Sequence, residues 1–174
     1  MMKKYIFVLM AALALTTSCD DWLDVRGENI QKEKDQFENY KGFRDALTGC
    51  YMEMASTDAY GKRLTMTDIE DMANLWTVSS TESSTPARYN LYHHNYSNDN
   101  VLPVTKAIYA KLFNTIVSAN VLMRNIEEKG GNIGNEQKRA VIDGEAHAIR
   151  AYCQFDVLRL FGQLPQGATK QVSL

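Results

Sequence analysis

Two stretches in the second half of the chain carry apolar residues at every third or fourth position, the spacing of one face of an α-helix. In 105–128 the recurring residues are Ile108, Leu112, Ile116, Ala119, Met123 and Ile126. In 136–161 they are Ile142, Ala146, Ile149, Cys153, Val157 and Leu160. Each stretch is long enough for six to seven turns, so we predict two long helices.

The connection between these stretches is short and rich in glycine. We expect Gly130-Gly131-Asn132 to end the first helix, with a glycine in the left-handed conformation. Asn135 then begins the second helix, and Gly162 with Pro165 ends it. Two long helices with so short a connection form an antiparallel hairpin, the unit of tetratricopeptide-like stacks.

The first half has the same periodicity over 35–54, where Asp35 and Glu38 have the spacing of a capping box at the helix start. The apolar positions of this helix are Phe37, Tyr40, Phe43, Leu47, Cys50, Tyr51 and Met54. A weaker helix begins at Thr67, with Glu70 completing a second capping box. Its expected buried face consists of Ile69, Met72, Ala73 and Trp76.

The segment 77–100 has no steady period and is rich in Ser, Thr and Asn, which predicts a long surface loop. A loop of this length is usually functional or disordered. The pattern as a whole predicts an all-α fold of tetratricopeptide-like helical hairpins with one long irregular surface loop. No clean repeat at the usual tetratricopeptide period is present.

The N-terminus is typical of an exported protein. Lys3 and Lys4 precede an apolar run over 5–17, which is too short to span a bilayer because spanning needs about 20 apolar residues. Small residues then lead to Cys19, which predicts a lipoprotein signal peptide over 1–18 with lipidation of that cysteine. The alternative is an ordinary secretory signal with a cysteine nearby. Residues 19–34 are expected to form an extended tether.

Lipidation would place the protein on a membrane without a spanning helix, because each buried methylene contributes roughly 0.8 kcal/mol.

Removal of residues 1–18 takes away two lysines and no acids, leaving 156 residues with 17 basic and 21 acidic side chains. A chain of this length forms one modest domain. A surface with net charge −4 argues against a nucleic-acid partner, which requires clustered Lys and Arg.

Two cysteines remain besides Cys19. Export permits a disulfide between Cys50 and Cys153. Both residues lie on apolar helical stripes, however, so we favour two buried free thiols.

Aromatic and amide residues alternate between positions 76 and 100, a composition suited to a sugar-binding surface. Pyranose rings stack on aromatic faces while amides bond to the sugar hydroxyls. The candidate glycan-binding residues are Trp76, Tyr89, Tyr92 and Tyr96, interleaved with Asn90, Asn95 and Asn98. Alternatively, Trp76 packs beneath its own short helix and the tyrosines hold the loop in place.

The sequence predicts no enzyme. It lacks a nucleophile elbow, a phosphate loop and a zinc-binding helix motif, and it suggests neither a cofactor nor a catalytic residue. His93 and His94 are adjacent in a predicted loop with no third ligand at a fixed spacing, so we interpret them as surface residues rather than metal ligands. Asn120 is expected to face the apolar stripe and to bond to a neighbouring helix, and Arg150 to act similarly.

Several segments, in order along the chain, resemble the SusD/RagB family. They are "DDWLDV" after Cys19, "ALTGCYMEM", "IYAKLFNTIVSANVLMRNIE" with Asn120, and "GEAHAIRAYCQFDVLRLFGQLP". The last carries Gly144-Glu145-Ala146, Arg150-Ala151-Tyr152, Phe155, Leu158 to Gly162, and Pro165. The family consists of nutrient-uptake lipoproteins of Bacteroidota on the outer membrane.

The resemblance implies function and location. Family members bind glycans, or peptides in the RagB branch, and each works with a TonB-dependent (SusC-like) outer-membrane transporter. Acids such as Asp20 and Asp21 after the lipidated cysteine resemble the signal that sends such lipoproteins to the cell surface. The same acids would also suit a solvated tether.

Family members are several times longer than this chain, so the resemblance assigns 35–165 to the N-terminal helical part of a SusD-like protein and leaves 166–174 as an atypical tail. The expected function is capture of oligosaccharides or peptides for uptake. The alternative is a truncated, non-binding helical scaffold that keeps only its partner contacts.

Overall fold

A computed structural model describes residues 33–77 and 86–162 of the chain. Its helices are α1 (Glu33–Gln36), α2 (Tyr40–Met54), α3 (Asp68–Met72), α4 (Pro86–Tyr92), α5 (Leu102–Lys129), a 3₁₀ helix (Gly130–Ile133) and α6 (Glu136–Phe161). The described residues contain no strand, which confirms the all-α prediction. The finer prediction of tetratricopeptide-like hairpins stays a prediction. The predicted signal peptide (1–18), Cys19, most of the tether and the tail (166–174) lie outside the described residues.

Helices α5 and α6 form the predicted antiparallel hairpin. The rings of Tyr109 and Phe161 meet at 5.2 Å near its open end, and Arg150 donates a hydrogen bond to Asn120 further along. All six predicted stripe residues of α5 are buried, and so are the first four of α6. The hairpin exists because each helix presents one continuous apolar face to the same core.

Helix α2 packs against both helices of the hairpin and closes the core. Phe43 and Cys50 of this helix are fully buried. Burial of a side chain such as Phe43 contributes about 1.5–3 kcal/mol. The core residues of the described chain are Phe37, Phe43, Leu47, Cys50, Ile108, Leu112, Ile116, Ala119, Leu122, Met123, Ile126, Ile133, Ile142, Ala146, Ile149 and Cys153.

Polar contacts at the edges of this core fix the position of α2. Lys111 Nζ lies 2.6 Å from Glu53 Oε2, and the Tyr51 hydroxyl donates to Glu145 Oε2 at 2.7 Å. Cys50 and Cys153 are buried free thiols, as the stripe pattern predicts. Burial raises the pKa of both thiols, since the thiolate is poorly solvated in the core.

The predicted start of the helix over 35–54 is wrong. Asp35 and Glu38 do not cap it; α1 ends at Gln36, and α2 begins after Asn39, whose side chain accepts a hydrogen bond from the Gly42 amide at 3.2 Å. The carbonyl oxygen of Gln36 approaches so closely that a Cβ on Gly42 would meet it at 1.5 Å. The chain therefore folds back onto the first turn of α2, which only glycine permits at this position.

The connection between α5 and α6 also differs from expectation. Gly130 has φ −59° and starts the 3₁₀ helix, whereas the left-handed residue is Gly134, with φ +69°. The extra 3₁₀ turn places Ile133 in the core. The chain therefore reverses its direction one turn later than the sequence predicts. Asn135 caps α6 as predicted, accepting from the Lys138 amide at 2.9 Å, and α6 ends before Gly162.

The region between α2 and α5 departs most from the sequence prediction. Thr67 precedes α3 but makes no side-chain cap hydrogen bond. The buried residues of α3 are Asp68 and Asp71, while Trp76 is exposed, so the predicted apolar face is wrong. The predicted loop 77–100 contains α4. The buried ion pair between Asp71 and Arg88 accounts for the charged buried side of α3 and for the position of α4.

Candidate functional site

Helix α4 carries two of the predicted ligand residues, and its position is set by a charged anchor. The guanidinium of Arg88 donates to both carboxylate oxygens of Asp71, at 2.8 and 2.9 Å. The Asp71 side chain is fully buried, and Leu91 of α4 is buried as well. Pro86 suits the first turn of a helix because it has no amide hydrogen to satisfy. These contacts hold α4 against α3.

A second arginine stabilises the turns before α3. Arg63 donates to Asp58 at 2.8 Å and to Asp68 at 3.0 Å. Burial raises the pKa of the Asp68 carboxyl, and the charge of Arg63 opposes that shift. Because the acids on one side of α3 are each paired with an arginine, they form structural ion pairs rather than a catalytic pair.

The rings of Tyr89 and Tyr92 both contact His93. The ring centroid of His93 is 4.4 Å from that of Tyr89 and 5.1 Å from that of Tyr92. Both tyrosines are half-buried and His93 is exposed. The three rings form a small aromatic cluster at the end of α4.

Tyr96 lies beyond this cluster and is 43% exposed. Its ring is 5.9 Å from that of His94, which has φ +57° and holds Nε2 3.0 Å from the Met72 carbonyl oxygen. Tyr96 lines a groove of about 810 Å³. The other residues lining this groove are Met72, Thr105, Ile108, Leu158, Arg159, Leu160, Phe161 and Gly162.

Trp76 stands apart from the tyrosines. It is 57% exposed, and its Nε1 donates to Glu70 Oε2 at 2.6 Å. Among the described residues, no ring contact joins Trp76 to Tyr89, Tyr92 or Tyr96. The expectation that Trp76 packs beneath its helix is wrong, because the buried side of α3 is occupied by the two arginine-paired acids. The structure therefore brings together two of the four predicted residues.

The amides interleaved with the tyrosines bond mainly to their own segment. Asn90 donates to the Pro86 carbonyl at 2.7 Å, and Asn95 donates to Asn90 at 2.9 Å. The side-chain oxygen of Asn98 accepts a hydrogen bond from the backbone amide of Asn100 at 2.9 Å. These bonds order the loop after α4.

Asn120 and Arg150 meet across the hairpin, with Arg150 Nη1 3.3 Å from Asn120 Oδ1. The predicted bond from Asn120 to a neighbouring helix is therefore present. The prediction that Asn120 is buried is wrong, because it lies on the exposed side of α5. The buried amide of α5 is Asn125, which donates to the Val121 carbonyl at 2.9 Å.

No group of three or more His, Cys, Asp or Glu side chains in 33–77 or 86–162 could hold a metal ion. Over the same residues, no helix combines the length and the hydropathy needed to cross a bilayer.

Sequence reasoning missed Arg88 and the groove beside Tyr96. Arg88 gave no signal, because a lone arginine in a polar segment is usually solvated and its buried partner lies 17 residues away. The groove had a readable signal: Leu158 and Phe161, which line it, are apolar residues that lie off the α6 stripe.

Comparison with known proteins supports the SusD-like resemblance at a coarse level. The chain is 23% identical over 167 residues to SusD-like protein P2 from Formosa agariphila. The match covers 94% of this chain but 31% of that protein, so the chain spans about a third of the length of this relative. No family model matches the chain, and no solved structure matches it significantly. The chain thus has a distant SusD-like homologue.

Proposed function

We propose that this chain is a surface-exposed outer-membrane lipoprotein that binds oligosaccharides, or peptides, for uptake through a partner TonB-dependent transporter of the SusC type. The observation that carries the proposal is the similarity to SusD-like protein P2 over 94% of the chain. The lipoprotein-like N-terminus, with Cys19 as the lipidation site, supports the membrane location. The proposed role is binding and hand-over, and it requires no catalysis by this chain.

The candidate binding surface consists of Tyr89, Tyr92 and Tyr96 on and after α4. The exposed ring of Tyr96 and the half-buried rings of Tyr89 and Tyr92 are the aromatic surfaces proposed to stack on a sugar. The arginine anchor at Asp71 supports the surface from behind, so the rings are held before a ligand arrives. Trp76 is a separate exposed ring that would require a ligand extending past Glu70.

Affinity electrophoresis of the full chain through gels containing individual polysaccharides tests this proposal. A binder is retarded in the gel that contains its ligand. Tyr96→Ala should weaken the interaction about fivefold, since a stacked aromatic contributes about 1 kcal/mol. Tyr51→Ala is the matched control, because Tyr51 is 46% exposed but lies on α2, and it should leave retardation unchanged. Equal loss in both variants would contradict the proposed surface.

A second candidate function is a non-binding helical scaffold that keeps only its partner contacts. The separation of Trp76 from the tyrosines favours it. A scaffold would migrate unretarded in every polysaccharide gel while still associating with the transporter. That outcome would overturn the ligand-binding proposal and retain the lipoprotein role.

A further inference from the structure

The groove beside Tyr96 lies where α3, the loop after α4, the start of α5 and the end of α6 meet. Its volume of about 810 Å³ falls within the roughly 300–1,000 Å³ of small-molecule sites. Most of its lining is apolar, and the apolar residues are Met72, Ile108, Leu158, Leu160 and Phe161. A site of this kind derives its specificity from the few polar groups that it contains.

The polar side chains that line the groove are Tyr96, Thr105 and Arg159. The Thr105 hydroxyl donates within its own helix, to the Leu102 carbonyl at 3.1 Å. The ring of Tyr96 is 43% exposed and the side chain of Arg159 is 56% exposed. Tyr96 and Arg159 therefore offer a ligand an aromatic face and a positive charge in the same groove.

A buried carboxylate holds Arg159 in place. Arg159 Nη1 donates to Asp156 Oδ1 at 2.9 Å, and the Tyr60 hydroxyl donates to the other oxygen of Asp156 at 2.9 Å. Asp156 is only 8% exposed, so this support lies beneath the surface. The guanidinium carbon also lies 5.5 Å from the ring centroid of Phe155. These contacts orient the guanidinium before a ligand arrives, which lowers the entropy lost on binding.

The guanidinium of Arg159 retains capacity for further hydrogen bonds. It carries several N–H groups in a planar fork, and Asp156 is its one hydrogen-bond acceptor among residues 33–77 and 86–162. A carboxylate or a sulfate ester presents two oxygens to such a fork and forms charge-assisted hydrogen bonds with it. A neutral sugar hydroxyl forms weaker bonds, so the arginine favours an anionic ligand.

The charge of the groove differs from that of the whole chain. The formal net charge of the protein is −2, yet no Asp or Glu is among the described residues that line the groove. The charge of Asp156 beneath the surface is already shared between Tyr60 and Arg159. Apolar walls of low dielectric constant strengthen the field of an arginine on a ligand that enters. The groove is thus complementary to an anion.

We propose that the groove beside Tyr96 binds an acidic unit of an oligosaccharide, with Arg159 pairing with its carboxylate or sulfate ester and Tyr96 stacking on its ring. This inference rests on the proposed function, which it narrows from oligosaccharides in general to acidic ones. The carboxylate and the sulfate ester offer the same charged oxygens to arginine, so the test includes both.

Affinity electrophoresis of the full chain through gels with acidic or neutral polysaccharides tests this inference. The acidic probes are polygalacturonate and alginate, which carry carboxylates, and carrageenan, which carries sulfate esters. The neutral probes are methyl-esterified polygalacturonate, which keeps the backbone and loses the charge, and pullulan. We expect at least one acidic probe to retard the protein and the neutral probes to leave it unretarded. The acidic probes that retard it identify the anion.

Arg159→Gln should weaken the interaction about tenfold, because it removes the charge-assisted hydrogen bonds. Arg44→Gln is the matched control, because Arg44 is exposed on α2 and the variant removes the same charge outside the groove. It should leave retardation unchanged. Arg159→Lys keeps the charge and can still pair with Asp156, so it should weaken the interaction only about threefold. This conservative variant tests the groove if Arg159→Gln does not fold.

The outcomes separate this inference from the proposed function. Retardation by a neutral probe as strong as by the acidic ones would overturn the inference and keep the proposed function. Retardation by none of the polysaccharides would overturn both. Equal losses in Arg159→Gln and Arg44→Gln would mean that acidic polymers bind the general charge of the protein. Complete loss in Arg159→Lys would mean that the packing of the guanidinium, and not its charge, matters, and either result overturns the inference.

Discussion

At the residue scale, the most consequential contact is between Arg88 and Asp71, because it puts a charge where the sequence predicts apolar packing. A fully buried carboxylate is costly unless paired and hydrogen-bonded, and here both its oxygens accept from one guanidinium. This geometry makes α3 and α4 one local unit. It also explains why Trp76 lies outside on the surface.

Arg88→Met should lower the free energy of unfolding by about 2–3 kcal/mol, because it leaves the Asp71 carboxylate buried without its donor. Urea denaturation followed by circular dichroism measures the change. Lys41→Met, which breaks the exposed pair with Asp45, is the control and should cost less than about 0.5 kcal/mol. Adding Asp71→Asn to Arg88→Met should recover part of the loss, and failure to recover would contradict the buried-charge explanation.

Stability should also fall at alkaline pH. Burial, and then its hydrogen bond to Asp156, raises the pKa of Tyr60 above the ordinary 10.0, and burial raises the pKa of Cys50 and Cys153 above 9.0. A raised pKa in the folded state means that full stability is present below the unfolded pKa. Stability is lost as pH rises above it, because the unfolded chain releases these protons first.

We therefore expect the free energy of unfolding to hold between pH 7 and 8 and to decline from about pH 9 upward. Tyr60→Phe should cost about 1 kcal/mol at pH 7, from the lost hydrogen bond, and should make the decline above pH 10 shallower. Urea melts at several pH values measure both effects. If the free energy of unfolding fell equally steeply with pH in the wild-type protein and in Tyr60→Phe, the assigned role of Tyr60 would be contradicted.

At the element scale, the helices form where the periodicity predicts, but their ends depend on capping and close backbone approaches. The stripes of α5 and α6 extend over two long helices, so their existence and facing were readable from the sequence. The start of α2 was not readable, because Asp35 and Asn39 are both acceptable N-cap residues. The carbonyl of Gln36 lies against Gly42 in the first turn of α2, and this contact favours Asn39 as the N-cap residue.

Asn39→Ala should lower stability by about 1 kcal/mol through loss of the cap of α2. The control is Glu38→Ala, which removes an exposed side chain from the cap that the sequence predicts and the structure lacks. Its effect should stay within about 0.5 kcal/mol. Thermal and urea denaturation of both variants compare the two caps directly, and a larger loss in Glu38→Ala would favour the sequence-predicted start.

Two glycines in the turn between α5 and α6 should respond differently to alanine. Gly134 has φ +69°, and Gly134→Ala should cost about 1 kcal/mol because a side chain strains this conformation. Gly131 has open space around it and no positive φ, so Gly131→Ala should be neutral or slightly stabilising. Denaturant midpoints of the two variants provide the comparison, and equal losses would contradict the assignment of the left-handed residue.

At the scale of the whole described molecule, three helices share one core while α3 and α4 form a smaller attachment. The core extends from Phe37 through α2 and along both helices of the hairpin. The predicted ligand residues lie on the attachment and on the loop that follows it. The proposed binding surface and the core that stabilises the fold therefore lie in different parts of the chain.

Leu112→Ala should lower stability by about 2–5 kcal/mol, since Leu112 is fully buried between the three helices. Val117→Ala, at an exposed site on the same helix, should cost less than about 1 kcal/mol. Thermal melts followed by far-ultraviolet circular dichroism and by tyrosine fluorescence should coincide for the core helices. A transition in which Leu112→Ala has no effect would mean that these helices do not share a core.

The sequence by itself determined the all-α class, the bounds of the two long helices to within a few residues, their buried stripes and the burial of both cysteines. These features follow from periodicity, which is local and needs no partner. It also supplied the SusD-like resemblance, which the distant homologue supports. Tertiary structure alone decided the ion pair of Arg88 with Asp71, the exposure of Trp76 and the division of the predicted aromatic residues. It also left large apolar side chains of the hairpin, such as Phe113 and Phe155, partly exposed. Each of these depends on which side chain of one element meets another across space, and periodicity along a single helix carries no such information.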